Sequence, residues 1–271
     1  MDISIVIPAF NQLHFTKICL ESLRKTVPVN VRTVVIDNGS SDGTAEYLAG
    51  CSNITIISNS ENYGCAAAWN QGVKATNTHW IIFLNNDIIL SPNWLEGLLA
   101  FAEEKGADIV SPAFREGKYN YDITEYSREY VRRMSRVVRM GVAQGICFMV
   151  RRHVFDRIGL FDENFRVGQF EDTDFFRRAR LAGFVLGTTG CSFIHHFGSV
   201  TQNAIRKERA ASPHERENRT YYRRKYRLTL WKRFLERRRV KLQARWWRIS
   251  ERMLYGHTLI EKWIDGRLRY F

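Results

Sequence analysis

A chain of 271 residues with 45% hydrophobic residues can form one large domain or two small ones around an ample core. No apolar run reaches the ~18–20 residues of a transmembrane helix, and the start lacks the basic and apolar regions of a signal peptide. Five scattered cysteines without a CxxC pair indicate reduced thiols in a cytosolic protein.

The net charge of +13 is concentrated in one part of the chain. Residues 205–271 carry 21 Lys+Arg and 7 Asp+Glu, a net of +14, which leaves −1 for residues 1–204. We therefore expect an anionic partner for this segment: a membrane surface, an anionic lipid-linked glycan or nucleic acid. We expect a cytoplasmic protein, and the basic segment leaves peripheral attachment to the inner face of the membrane open.

Short apolar runs alternate with helical patterns from the first residues onward. Alternation of this kind predicts an α/β fold with a mostly parallel sheet flanked by helices. Ser91 and Pro92 predict a helix start, with Ser91 as its N-cap. The polar and basic stretch 114–140 predicts either a long loop or helical insertion over a site, or a solvated helical face. We predict strands at 3–7, 32–36, 54–58, 79–84, 109–112, 146–150, 185–186 and 192–195, and helices at 14–26, 42–49, 65–76, 173–181 and 221–255.

Two of the predicted strands end in small and polar residues about thirty positions apart. The first ends at Pro8-Ala9-Phe10-Asn11, and the second ends at Asp37-Asn38-Gly39-Ser40-Ser41-Asp42-Gly43. Ligands of open α/β sheets bind outside the carboxyl ends of the strands. The two strand ends therefore predict a nucleotide site.

Three further groups of residues carry chemistry. Asp87 follows the fourth strand, where a lone carboxylate suits Mg²⁺ or Mn²⁺ completed by substrate phosphates, although a turn Asp is the plainer interpretation. Glu171, Asp172 and Asp174 cluster at a predicted helix start, beyond what a cap requires, and Asp172 is a candidate general base. The pair His195-His196 ends the last strand, and buried structural histidines and metal ligands are equally compatible with it.

Other function classes leave weaker signals. Gly39-x-Ser41-x-Gly43 with Asp172 and His195 has the formal order of a serine hydrolase, but no HGGG-type segment accompanies it and Asp87 has no role there. A nucleic-acid-binding protein would depend on the basic segment alone. The chain has no P-loop, no GxGxxG and no HExxH, so kinase, dinucleotide oxidoreductase and zincin functions are disfavoured.

Taken together, these motifs resemble family 2 inverting glycosyltransferases of the GT-A fold, over roughly residues 1–230. The matching positions are the two strand ends above, Asn62-Tyr63-Gly64 with Asn70, Asn85-Asn86-Asp87, Phe170-Glu171-Asp172 and His195-His196-Phe197-Gly198-Ser199. Asn62-x-Gly64 followed by Asn70-x-Gly72 looks most like the bacterial rhamnosyltransferase-like branch, which builds surface polysaccharides.

The resemblance implies a role for each matching residue. The base and ribose pocket would be lined by Pro8, Phe10, Asn11 and Asp37. The sugar diphosphate would be held by Asn62, Gly64, Asn70 and Asn86. Mg²⁺ or Mn²⁺ would be bound by Asp87 and His195. Asp172 would be the catalytic base with Glu171 beside it. The donor would be a nucleoside-diphosphate sugar, and the acceptor a hydroxyl of a cell-surface glycan or lipid-linked oligosaccharide.

The resemblance also implies a division of the chain. A GT-A domain would span 1–205, with the nucleotide-sugar half at about 1–90 and the acceptor half at about 91–205. The composition, rather than the resemblance, predicts a basic, aromatic-rich helical extension at 206–271, whose part beyond about residue 230 lies outside the resemblance. Its Trp and Arg pattern would suit an interfacial helix, a surface for an anionic acceptor or an oligomer contact. One position departs from the family: Asn85 stands where an Asp-x-Asp metal motif often has its first acid. Either the metal affinity is lower, or His195 compensates.

Overall fold

The structure, a computed structural model, describes residues 2–198 and 213–271. Its strands are β1 (Ile3–Ala9), β2 (Arg32–Asp37), β3 (Ile54–Ser58), β4 (Trp80–Leu84), β5 (Ile88–Leu90), β6 (Ile109–Glu116), β7 (Val138–Met140), β8 (Cys147–Arg151), β9 (Leu186–His196), β10 (Ile260–Ile264) and β11 (Arg267–Tyr270). Its helices are α1 (Leu13–Thr26), α2 (Thr44–Ala49), α3 (Cys65–Lys74), α4 (Trp94–Lys105), α5 (Ile123–Met134), α6 (Arg152–Ile158), α7 (Glu171–Leu181), α8 (Pro213–Lys225) and α9 (Leu230–Tyr255).

One twisted sheet runs through the molecule in the order β11-β10-β6-β8-β4-β1-β2-β3, with β9 joining β5, β6 and β7. The half formed by β4, β1, β2 and β3 is entirely parallel, and antiparallel pairs occur at β8, β5, β7 and β11. The predicted α/β class, with a mostly parallel sheet flanked by helices, is confirmed.

The core lies on both faces of this sheet because its central strands are apolar on both sides, as buried parallel strands are. On one face, Ile5, Ile82 and Met149 pack against α1 and α4. On the other face, Trp69 of α3 stacks edge-on to Phe148, with ring centroids 5.3 Å apart. Both faces are therefore covered, and polar side chains at the strand ends are left to form the site.

Three local expectations differ from the structure. Helix α4 begins at Trp94 rather than at Pro92, and Ser91 Oγ donates to the carbonyl of Phe193 at 2.7 Å instead of capping the helix. The stretch 114–140 contains the end of β6, the amphipathic helix α5 and β7. The basic segment is helical in α8 and α9, as predicted, but its last residues form the unpredicted hairpin β10–β11, which extends the sheet beside β6.

No helix within 2–198 and 213–271 combines the length and the apolarity that a membrane-spanning segment requires.

Candidate active site

The two loops that follow β1 and β2 are joined to each other at the carboxyl edge of the sheet. Ser40 Oγ accepts from the backbone N–H of Asn11 at 2.8 Å, and Asn11 Oδ1 accepts from the N–H of Ser41 at 2.8 Å. Asp42 Oδ2 accepts from the N–H of Leu13 at 2.8 Å, at the start of α1. The two predicted strand ends thus form one continuous wall. The side chain of Asn11 holds this wall together.

Asp37 and Asn38 lie at the end of β2 inside this wall. Asp37 is buried, and its Oδ1 accepts from the N–H of Ser40 at 3.1 Å. Asn38 donates from Nδ2 to Asn62 Oδ1 at 2.8 Å and accepts from the N–H of Tyr63 at 3.1 Å. Half-buried Pro8 and Phe10 border Asp37 from the end of β1. The structure therefore brings together Pro8, Phe10, Asp37 and Asn62, as the sequence predicts.

Two glycines allow the loops to pack this closely. Gly39 has φ +78°, and a Cβ there would lie 2.6 Å from the Cα of Glu61. Gly64 has φ +89°, and a Cβ there would lie 3.0 Å from the backbone N of Val167. Since L side chains rarely adopt this φ, both positions require glycine for two independent reasons. Gly64 brings the loop that precedes α3 against the loop that precedes α7.

The amides of two predicted binding residues are engaged inside the protein. Asn70 accepts from the N–H of Phe161 at 2.9 Å and donates to its carbonyl at 2.9 Å, so its side chain fixes the 161–163 loop. Asn86 is buried and donates to Thr16 Oγ1 at 2.9 Å. These contacts give Asn70 and Asn86 positioning roles at the edge of the site.

The loop after β4 brings Asp87 to the end of β9. Antiparallel pairing sets Ile88 opposite His196, and the imidazole Nε2 of His196 lies 3.4 Å from Asp87 Oδ1. Glu116 Oε2 lies 3.2 Å from Nδ1 of the same ring, and Lys262 of β10 donates to Glu116 Oε1 at 2.8 Å. A chain of polar contacts therefore runs from the β10–β11 hairpin to Asp87.

The structure brings His196, rather than the predicted His195, to Asp87. Successive side chains of a strand point to opposite faces, and β9 continues through His196. His195 Nδ1 lies 2.9 Å from the hydroxyl of Tyr121, while its Nε2 is buried without a partner. Burial and then the charge of His196 lower the pKa of His195 to about 3. His195 is thus a neutral, buried ring on the other face of the sheet.

Burial alone would lower the pKa of His196, but the carboxylates of Asp87 and Glu116 outweigh it and raise this pKa to about 9. Burial opposes ionisation of Glu116 too, yet His196 and Lys262 lower its pKa to about 2. The ring is therefore cationic between two anions, which neutralises the charge at this end of the sheet.

A divalent ion fits this arrangement in place of the Nε2 proton of His196, because an imidazole binds a metal only in its neutral form. The buried Nε2 of His196 faces Asp87 Oδ1 at 3.4 Å, while Glu116 fixes the other ring nitrogen, as carboxylates do for metal-binding histidines. Within the described ranges no three His, Cys, Asp or Glu side chains gather closely enough to hold an ion. Asp87 and His196 would thus supply two ligands, and substrate phosphates and water the others.

The first residues of α7 place two acids beside the loop of Gly64. The Glu171 carboxyl is buried beside the thiol of Cys65 at the start of α3. Burial, and then the charge of Asp172, raise the pKa of Glu171 to about 8. Burial also raises the pKa of Asp172 above its usual range. Glu171 is therefore protonated at neutral pH.

Asp172 and Asp174 point to different partners. Asp172 Oδ1 accepts from the N–H of Thr173 at 2.6 Å, and its Oδ2 lies against Gly145, where a Cβ would come within 2.1 Å of it. Asp174 is buried and bonds Tyr226 of the C-terminal region at 2.7 Å and Lys225 at 2.7 Å. Asp174 thus anchors α8, whereas Asp172 contacts Thr173 and Gly145 and stays a candidate base.

The serine hydrolase alternative has no geometric basis here. Ser41 is exposed in the loop after β2, and the imidazole of His195 bonds Tyr121 instead. Within residues 2–198 and 213–271, no hydrogen bond joins Ser41 to His195 or His195 to Asp172.

Comparison with known proteins gives the class first from the fold. The structure matches residues 1–349 of TarS from S. aureus with a TM-score of 0.57 and 17% identity, over 72% of this chain and 60% of that one. It matches GalNAc-T7, in a crystal structure with UDP, GalNAc and Mn²⁺, with a TM-score of 0.58 and 18% identity, over 72% and 44%. The GT-A-like architecture is therefore confirmed.

The family follows from the sequence. A profile of glycosyl transferase family 2 matches residues 4–159, and the chain belongs to this family. Glycosyltransferase AglE of Haloferax volcanii is 26% identical over 246 residues, which are 84% of this chain and 79% of that protein. Glycosyltransferase GlyG of Streptococcus pneumoniae is 27% identical over 124 residues, 44% of this chain and 40% of that protein. The chain spans less than two thirds of the length of several of the relatives that it matches.

Sequence reasoning missed three residues that shape the site: Glu116, Gly145 and Lys262. Glu116 follows an apolar run that extends beyond the predicted strand. Lys262 belongs to a hairpin whose signal was present, because Asp265-Gly266 separates two alternating runs and takes left-handed φ values of 51° and 73°. For Gly145, a lone glycine before a strand gives no comparable signal.

Proposed function

We propose that this family 2 member transfers a sugar from a nucleoside-diphosphate donor to a hydroxyl acceptor with inversion at the anomeric carbon. The observation that carries the proposal is the contact between the donor loop and the acid pair. Gly64 abuts Val167, the Cys65 N–H donates to the Val167 carbonyl at 3.2 Å, and the Cys65 thiol lies beside Glu171. The predicted donor wall and base thus share one edge of the sheet.

The donor nucleotide would bind along the wall formed by the loops after β1 and β2. The buried carboxylate of Asp37 would accept a hydrogen bond from the ring N–H of uracil, thymine or guanine, with Pro8 and Phe10 beside the base. Gly64 and Asn62 would border the diphosphate. Asp87 and His196 would hold Mg²⁺ or Mn²⁺, which when bound supplies Lewis-acid stabilisation of the leaving diphosphate.

The reaction itself would be a single displacement. The acceptor oxygen forms a bond to the anomeric carbon as the bond from that carbon to the diphosphate oxygen breaks, and Asp172 receives the acceptor proton. Attack from the face opposite the leaving group inverts the configuration and requires no protein nucleophile. Because Glu171 is neutral at pH 7, it adds no second negative charge beside the base.

Finer aspects of specificity are part of this proposal. A rhamnosyl- or hexosyltransferase acting on a cell-surface glycan or lipid-linked oligosaccharide agrees with the Asn62-x-Gly64 and Asn70-x-Gly72 pattern. The strongly basic segment 206–271 agrees with an anionic acceptor or with peripheral attachment to an anionic membrane on its cytoplasmic face.

A release assay tests the proposal. We would incubate the protein with UDP-, GDP- and dTDP-sugars and Mg²⁺ or Mn²⁺, measure free nucleoside diphosphate, and determine the anomeric configuration of the product by NMR. We expect release from one donor class and an inverted product. Asp172→Asn should lower kcat by about 10²–10⁴-fold, while Ser41→Ala should leave it unchanged. Turnover that requires Ser41, or a retained configuration, would contradict the proposal.

A further inference from the structure

Helix α9 lies largely off the body of the protein. Across its 26 residues Glu251 alone is buried, and every residue from Phe234 to Trp246 is exposed. The helix is held near its two ends: Glu251 forms a buried ion pair with Arg139 at 2.7 Å, and Glu236 pairs with Arg177 at 3.4 Å. Within residues 2–198 and 213–271, nothing therefore buries the apolar side chains of this long middle section.

The outward side of α9 carries an apolar stripe. Its members recur at spacings of three, four and seven residues, so at 3.6 residues per turn they fall within an arc of about 60°. The exposed fractions reach 68% for Trp231, 69% for Trp246 and 81% for Met253. The outward stripe consists of Trp231, Leu235, Leu242, Trp246, Ile249 and Met253.

Cations border the outward stripe on both sides. By the same helical geometry Arg238, Arg245 and Arg252 lie along one margin, and Lys232 and Arg239 along the other. In all, α9 carries nine Lys+Arg and two Asp+Glu, and both acids already pair with arginines of the protein body. The outward side thus combines large apolar groups with uncompensated positive charge.

We propose that α9 docks on an anionic lipid bilayer and lies in the plane of its interface, with the outward stripe among the acyl chains and the flanking cations at the headgroups. Trp, Leu and Ile on one side with Arg and Lys at the margins are the residue types that such interfacial helices use. Lipid phosphates neutralise the cations at the margins of the helix, while the acyl chains bury the outward stripe.

Other occupants fit the same surface less well. A second copy of α9 would set its own row of cations against an identical row, with no free acid to offset the repulsion. Nucleic acid would satisfy the arginines but leave Leu235, Leu242 and Ile249 in water. This proposal deepens the membrane association proposed above, and it depends on α9 alone rather than on sugar transfer.

The geometry also joins the docking helix to the site. Gly256 ends α9 with φ 78°, and β10 follows within four residues to place Lys262 on Glu116. A membrane-bound α9 would therefore hold the active site close to the bilayer, where a lipid-linked acceptor would be found.

Vesicle binding by the full chain, without donor or metal, tests the docking surface. We would compare sedimentation with phosphatidylcholine vesicles and with vesicles that also contain phosphatidylglycerol, and follow tryptophan quenching by brominated lipids. We expect binding to the anionic vesicles that is weakened at least about tenfold in the triple variant Trp231→Ser, Leu242→Ser, Trp246→Ser. The matched control is Val29→Ser with Leu181→Ser, which removes two exposed apolar side chains elsewhere.

Several outcomes would overturn the docking proposal. Equal binding of the triple variant and the control variant to anionic vesicles would show that the outward stripe does not contribute to binding. If the wild-type chain does not bind anionic vesicles but forms a dimer that the triple variant does not form, the outward stripe contacts a second copy of the chain instead. Binding to single-stranded RNA but not to vesicles would assign it to nucleic acid. Because donor release is measured separately, failure here leaves the proposed transferase activity intact, and the reverse also holds.

Discussion

Replacing Gly145 with alanine would test the role of Asp172 through its surroundings. The added Cβ would lie 2.1 Å from Asp172 Oδ2, whereas ordinary contacts begin at 3.4 Å. The carboxylate must therefore move by roughly 1.3 Å, since the overlap is too large for van der Waals contact to absorb. Gly145 has no left-handed φ, so alanine causes no backbone strain there.

A displacement of this size has a predictable cost in catalysis. Misplacing a reacting group by 1 Å can reduce the rate about 10²-fold, which corresponds to about 2.7 kcal/mol of activation free energy. We expect Gly145→Ala to lower kcat by this factor and to leave the dissociation constant of the donor unchanged, because the added Cβ meets Asp172 rather than a residue of the donor wall. Steady-state kinetics and calorimetric titration of the nucleoside diphosphate measure the two quantities.

Two controls make this result interpretable. Gly50→Ala meets only a carbonyl oxygen at 3.5 Å and should behave as wild type. If Gly145 acts through Asp172, adding Gly145→Ala to Asp172→Asn should cause little further loss, since residues that act as a unit are not additive. A Gly145→Ala enzyme with full kcat and an unchanged melting temperature would refute the assignment of Asp172 as the base.

Three more predictions concern charge. His196→Ala should weaken Mn²⁺-dependent binding of the nucleoside diphosphate about 10–100-fold, whereas His195→Ala should not; the opposite ranking in calorimetry would restore the sequence-based choice. Arg139→Met should lower the free energy of unfolding measured in urea by about 3–5 kcal/mol, because it leaves the carboxylate of Glu251 buried without its ion-pair partner. The control Arg132→Met removes an exposed arginine and should cost less than about 1 kcal/mol. Similar losses in the two variants would argue against a stabilising role of the buried pair. The raised pKa means that Glu171 of the folded protein keeps its proton between pH 4.5, the usual pKa of a glutamate, and about pH 8. The free energy of unfolding should therefore fall as pH rises through that window, by up to ~1.4 kcal/mol per pH unit. In Glu171→Gln this pH dependence should flatten, and an unchanged pH dependence would refute the raised pKa.

The parallel half of the fold, β1 to β4, was predictable because its signals are local. Runs of β-branched residues fixed β1 to β4 to within two residues, and buried parallel strands carry apolar residues on both faces. The polar ends of these strands then identified Asp37 and Asp87. Each of these inferences needs only the order of residues along a short segment.

The part of the fold after β4 depended on contacts that local patterns do not encode. Which of His195 and His196 meets Asp87 is decided by the face that each side chain takes on β9, and a shift of one residue exchanges the faces. Ser91 was expected to cap α4, but a long-range bond to the Phe193 carbonyl claims its hydroxyl. The partners Glu116 and Lys262 are 146 residues apart, which no spacing rule connects.

The place of β10 in the sheet has a consequence for how this protein is made. Strands β1 to β4 follow one another within the first 84 residues, so this half of the sheet can form early in synthesis. Strand β6 pairs with β8 and β9, but its neighbour β10 is made 146 residues later, measured from Glu116 to Lys262. Non-local pairing of this kind is slow, and unpaired strand edges promote aggregation. The edge of β6 at residues 114–116 must therefore stay open until the hairpin has been made, which makes this interval the vulnerable stage of folding.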